Sequence, residues 1–98
     1  MNEVLSIVWS KEAFESLKKI HDYYFKLNPA ATERIRKDII AAVSSLRYTK
    51  QYQLDEFNSN YRRIIVRYYK VFYTISAREA MILEIFDTRQ SPSKSRFE

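Results

Sequence analysis

The chain has 98 residues, enough for one domain near the lower end of the usual size range, and a domain that short buries roughly 60–65% of its unfolded surface. Hydrophobic residues at 46%, with eight Tyr, six Phe and one Trp, supply a core large enough to offset ordering entropy, which argues against global disorder. Seventeen Lys and Arg against twelve Asp and Glu give a net charge of +5, which favours an anionic partner: nucleic acid, ribosome or an acidic protein segment. Cysteine is absent, so disulfides and thiolate sites are excluded. Glycine is absent too, and with it every phosphate-cradling loop that relies on positive φ, which makes a nucleotide cofactor improbable.

Glu3 to Trp9 (EVLSIVW) is β-branched and aliphatic and reads as a first strand. Met1-Asn2-Glu3 lacks the basic start of a secretory signal, and no segment reaches the ~20 apolar residues that span a bilayer. The expectation is a cytoplasmic chain with no membrane partner. Ser10 sits at a helix N-cap position, followed by Ala13, Leu17, Ile20, Tyr24 and Leu27 at helical spacing. Asn28-Pro29 then breaks the pattern: Asn28 suits a cap and Pro29 a first helical position. A second helix is expected from Pro29 to about Tyr48, with Ala31, Ile35, Ile39, Ala42, Val43 and Leu46 as its apolar stripe. So short a connection makes the two helices an antiparallel hairpin. Lys18, Lys19, Lys26, Arg34, Arg36 and Lys37 fall on its solvated faces.

Residues 49–60 (TKQYQLDEFNSN) form a polar loop anchored by Leu54 and Phe57, of a length that often carries binding function. Strands are expected over Tyr61 to Arg67 and Tyr68 to Ser76, with a turn near Arg67-Tyr68. A last strand is expected over Ala80 to Asp87, after a turn at Ala77-Arg78-Glu79. Thr88 to Glu98 is a basic, Pro92-containing tail. The fold class is α+β in the order β-α-α-β-β-β, a single domain over residues 1–98. Its antiparallel sheet carries the N-terminal helical hairpin on one face.

Side chains alternate across a strand, so parity selects a functional surface. Ile64 and Val66 share one face, and Arg63, Ile65 and Arg67 the other. Val71, Tyr73 and Ile75 face the helices, with Lys70, Phe72 and Thr74 opposite. On the last strand Met81, Leu83 and Ile85 face in, while Ile82, Glu84 and Phe86 face out. The open face then presents Arg63, Arg67, Lys70 and Arg89, interleaved with Phe72 and Phe86, as the expected target-binding set. Cations beside aromatics suit phosphate contact with base stacking, and equally the anchoring of a protein partner.

The chain resembles the RelE/ParE toxin superfamily over nearly its whole length. The matching residues are Val8-Trp9-Ser10 with Ala13 and Leu17, Tyr23-Tyr24 before Asn28-Pro29, and Ala31 with Arg34. Arg62-Arg63, Tyr69-Lys70-Val71-Phe72-Tyr73 and Asp87-Thr88-Arg89-Gln90-Ser91-Pro92 follow in the same order. The resemblance implies a toxin of a type II toxin–antitoxin pair, neutralised by a cognate antitoxin and using no cofactor or metal. RelE-like members cut mRNA in the ribosomal A site; ParE-like members poison DNA gyrase. It leaves open a homodimer or a toxin–antitoxin hetero-oligomer, and also a non-toxic member that only binds its antitoxin or serves in a repressor complex.

RNA cleavage needs proton transfer at the 2′- and 5′-oxygens and cations for the phosphorane. On the resemblance Lys70, Arg63 and Arg89 would be the catalytic candidates, and Asp55 or Glu56 either an acid/base or a solvated loop carboxylate. Whether the chain is an enzyme stays open, because RelE-like nucleases carry a Tyr or His near the C-terminus where this chain has Phe97. The one histidine, His21, lies on the first helix as a surface or boundary residue. The long hairpin and Asn28-Pro29-Ala30-Ala31 look more ParE-like.

Overall fold

The computed structural model of the protein describes residues 5–48, 50–91 and 94–95. The first strand, β1 (Ser6–Trp9), is followed by α1 (Lys11–Phe25) and α2 (Pro29–Ser44). Both helix starts form as their residue types dictate. Ser10 Oγ accepts from Ala13 N at 3.0 Å and Asn28 Oδ1 from Ala31 N at 3.0 Å, satisfying amides that have no partner inside the helix. α2 stops before the expected Tyr48, because side chains take over its last carbonyls. Arg47 donates to Ser44 O, and Gln51 Nε2 to Ser45 O. Leu46 nevertheless stays buried. Glu3 and Val4 of the expected first strand, and Pro92 and Phe97 of the tail, lie outside the described residues.

The sheet contains β2 (Arg62–Val66), β3 (Tyr69–Ser76) and β4 (Glu79–Asp87), in the order β1-β4-β3-β2. β3 runs antiparallel to both neighbours, but β1 pairs parallel with β4. The sheet is therefore mixed, which corrects the antiparallel expectation. Residue patterns do not encode pairing sense, and the helical hairpin is a crossover long enough to permit a parallel edge strand. The helices cover one face, and the core between the layers holds Ala13, Ile39, Val43, Ile64, Val71, Tyr73 and Ile82.

Two-residue turns, Arg67-Tyr68 and Ala77-Arg78, join the last three strands. Arg67 and Ala77 both adopt φ of 56°, the left-handed region usually given to glycine, which this chain lacks. A β-bulge also redirects β4. Phe72 pairs with Glu84 but Tyr73 with Ile82, leaving Leu83 without an opposite number. The extra residue switches the inward parity. Ala80 and Ile82 are completely buried beneath the helices, whereas Met81 and Leu83 fall outside that cluster. This reverses the expected orientation of Ile82, Met81 and Leu83. Beyond the bulge Ile85 faces in as expected.

Candidate functional site

The sheet face opposite the helices is not open. Residues 53–55 run antiparallel along the outer edge of β2, with Arg63 N donating to Gln53 O at 3.0 Å and Asp55 N to Tyr61 O at 2.8 Å. This pairing turns the Asp55 carboxylate in over the sheet, where it is fully buried. Oδ2 accepts from Phe57 N and Asn58 N at 3.0 and 3.1 Å, closing an Asx turn. Oδ1 accepts from Lys70 Nζ at 2.9 Å and lies 3.6 Å from Arg63 Nε. The Phe57 ring stands 4.8 Å and the Phe72 ring 5.9 Å from the ammonium.

Several expectations are corrected here. Lys70 is 5% exposed, Phe72 0% and Phe86 6%, so none lies on an open surface. For Lys70 the physical cause is the fold-back of the 53–60 segment, which supplies a buried counter-charge. Asp55 is accordingly a buried ion-pair partner and not a solvated loop carboxylate. Glu56 is exposed and sits 3.6 Å from Lys70. Leu54 and Phe57, expected as loop anchors, are largely exposed. The anchoring falls to Asp55 and to Tyr52, whose ring packs on the core and whose hydroxyl meets Ser45 Oγ at 2.8 Å. Arg63 and Lys70 are brought together, as parity predicted, since Arg63 lies opposite Phe72 and both cations converge on one oxygen.

Arg67 and Arg89 lie elsewhere. The left-handed backbone at Arg67 ends the strand alternation. Its guanidinium reaches Asp38 on α2 at 2.7–2.8 Å instead of sharing the face of Lys70. Thr88 N and Thr88 Oγ1 both donate to Tyr68 O at 2.7 Å, tying the end of β4 to the β2–β3 turn. Arg89 thereby lies over the Tyr68 ring (4.8 Å) and the Tyr24 ring (5.7 Å), donates to Tyr24 Oη, and pairs with Asp87 at 2.7 Å. Tyr68 and Tyr23 are more than half exposed, and the Arg67 and Arg89 side chains nearly half. The four cations and two Phe expected on one surface thus divide into a sealed cluster on the sheet face and an accessible Arg–Tyr cluster at one sheet end. Tyr24 and Tyr68 escaped sequence reasoning, because their meeting depends on contacts between α1, a turn and the residues after β4.

The Arg89 hydrogen bond holds the Asp87 carboxyl below the usual carboxylate range, and Asp87 in turn raises the Arg89 guanidinium further. Burial, with Tyr24 and Asp87 nearby, pushes Tyr69 up to about 12; burial likewise pushes Tyr73 up to about 12. Both shifts lead away from the near-neutral pKa that suits a general acid or base.

His21 is partly exposed on α1, with Nε2 at 3.1 Å from Glu33 on α2. It therefore joins the two helices, consistent with its reading as a boundary residue. It also lines an apolar groove of about 450 Å³ with Trp9, Phe14, Leu17 and Ile40, and none of the expected target-binding residues lines that groove. Among the described residues no group of three or more His, Asp or Glu is placed to hold a metal ion, and no helix is long and apolar enough to cross a membrane.

A solved chain described as the chromosomal ParDE TA system from P. aeruginosa is similar in fold. Its TM-score is 0.74 at 21% identity, covering 86% of this chain and 96% of that one. No curated protein matches. A family model described as the ParE toxin of the type II toxin-antitoxin system parDE matches residues 7–92. That span takes in both helices, all but the first residue of the sheet, the Asp55–Lys70 cluster and Arg89, and the chain belongs to the ParE toxin family.

Proposed function

We propose that the protein is a growth-inhibiting toxin, neutralised by a cognate antitoxin, that acts by binding DNA gyrase rather than by cutting mRNA. The observation that carries this reading is the separation of the cations. An RNA-cleaving site would need Lys70, Arg63 and Arg89 around one phosphate. Here buried Lys70 and partly buried Arg63 converge on Asp55, while Arg89 stands with Tyr24 and Tyr68 at the sheet end. Arg and Tyr are the residue types that anchor protein interfaces, and two nearly half-exposed guanidinium groups beside an exposed Tyr68 form such an anchor. Of the six residues expected to bind the target, Arg67 and Arg89 would make direct contact, and Arg63, Lys70, Phe72 and Phe86 would support the sheet beneath.

The test is a gyrase supercoiling assay with the purified chain, paired with a 5′-end map of cellular mRNA after induction without the antitoxin. Inhibited supercoiling with unchanged mRNA ends is the expected result. New codon-positioned mRNA ends with unaffected gyrase would replace this reading by the endonuclease one.

A further inference from the structure

Helix α1 carries a second apolar row beside the one it buries. Ala13, Leu17 and Ile20 pack into the core, as an amphipathic helix requires. Phe14, His21 and Phe25, spaced by two turns and then one, form a row on the adjacent outer flank. Phe14 is 59% and Phe25 43% exposed. Neighbouring rings hold both in place: Phe14 leans on Trp9 at 5.5 Å between centroids, and Phe25 stacks on His21 at 5.0 Å. The groove of about 450 Å³ runs beside this row, with Trp9, Leu17 and Ile40 in its wall. Two exposed rings along an apolar groove form a patch of the kind that marks an interaction surface.

The charges along the same flank say what fits it. Lys11, Glu15, Lys18, Asp22 and Lys26 follow one another about one turn apart, and all are exposed. Their sign alternates, although the chain as a whole carries +5. An acidic segment of a different chain would be matched by a run of cations, which this row is not. A helix running the opposite way presents the same row reversed. With Lys18 opposite Asp22 of a second copy, Asp22 meets Lys18, Glu15 meets Lys26 and Lys26 meets Glu15. To within one residue, the same register brings Phe14 of each copy opposite Phe25 of the other. A two-fold axis needs a surface complementary to itself, and this flank is one.

We infer that the outer flank of α1 is a self-association surface on which a second copy of this chain packs antiparallel. Lys18 of each copy lies against Asp22 of the other, and Phe25 of each closes over Phe14 of the other at the Trp9 end of the groove. Within one chain the nearest contacts of the two acids are long, Glu15 at 4.0 Å from Lys11 and Asp22 at 3.6 Å from His21, so both can take a partner across the axis. The surface lies on the helical layer, and the inference stands or falls independently of gyrase.

Exchanging charges between two copies tests both the surface and its occupant. Sedimentation velocity of the full chain, without antitoxin, from about 1 to 500 µM should show a reversible monomer–dimer equilibrium. Lys18→Glu sets like charges against each other at both 18–22 contacts, and so does Asp22→Lys. Each variant alone should therefore dimerise roughly tenfold more weakly or worse. Mixed together they regain opposite charges at both contacts, and the mixture should form a heterodimer about as tight as the unaltered dimer. Phe14→Ala, at an exposed position, should weaken the dimer several-fold. Circular dichroism confirms that each protein is folded, and if a charge variant does not fold, Phe14→Ala decides. Three results overturn the inference: a chain that stays monomeric throughout, which leaves the flank to a different chain; charge variants that dimerise as well apart as together; or undiminished dimerisation of Phe14→Ala.

Discussion

Lys70→Ala is the most informative perturbation of the fold, because surface and buried readings of Lys70 differ by several kcal/mol. The ammonium and Asp55 lie 2.9 Å apart with side chains 6% and 0% exposed. At an effective dielectric constant of about 20 their attraction is about 6 kcal/mol, against a desolvation cost of several kcal/mol per ion. The intact pair therefore contributes little net stability. Removing one member leaves Asp55 buried beside the poorly placed Arg63 and costs about 3–5 kcal/mol. For a domain of this length that is a fall in Tm on the order of 15 to 30 °C, a large share of the ~5–15 kcal/mol available. Lys70→Met combined with Asp55→Asn removes both charges and should recover more than half of the loss. Urea and thermal unfolding followed by circular dichroism measure all three proteins. A Lys70→Ala protein within about 1 kcal/mol of the parent would show a solvated pair and refute the reasoning, since exposed ion pairs are worth no more than that.

Ile39→Ala should cost ~2–5 kcal/mol, because Ile39 is completely buried between helix and sheet, while Leu17→Ala should cost less because Leu17 only borders the core; chemical denaturation checks both. Ala77→Gly should raise stability by up to about 1 kcal/mol, relief of left-handed strain exceeding the added unfolded-state entropy, as a higher urea midpoint would show. Asp87 has a folded-state pKa below its unfolded value, so its contribution is present above the unfolded pKa and is lost as pH falls through the folded one. The stability gap between the parent and Asp87→Asn should therefore be constant near neutrality and close below about pH 4. A gap that does not narrow as pH falls below about 4 would contradict the Asp87–Arg89 assignment.

Much of the fold was legible in residue types that leave little choice. Ser10 and Asn28-Pro29 announce both helix starts, and the 3.6-residue repeat through Ile35, Ile39 and Val43 marks the inward stripe of α2, with Leu46 buried just past its end. Alternation in β2 placed Ile64 and Val66 inward and Ile65 outward. Reading failed where one residue redirects several others. The bulge at Leu83 reversed the parity of the first half of β4, and nothing in the local sequence distinguishes Leu83 from a regular strand residue. The left-handed turn swung Arg67 to Asp38. The largest miss was Asp55, whose burial follows from a long-range pairing of residues 53–55 with β2. Its one local signal, an Asp two and three residues ahead of amides that it can cap, reads equally as an exposed turn. The site residues were thus chosen by chemistry, and the covering of Lys70, Phe72 and Phe86 became visible only in three dimensions.

On the proposed gyrase reading, the working surface is the Arg–Tyr end of the sheet, and the Lys70 face stays closed. Gyrase supercoiling in the presence of Arg67→Ala/Arg89→Ala and, separately, Lys70→Met/Asp55→Asn measures it most directly, with circular dichroism confirming that each protein is folded. Loss of inhibition is expected for the double arginine variant, and retained inhibition for the charge-free pair. Retained inhibition by the first protein and its loss in the second would contradict it.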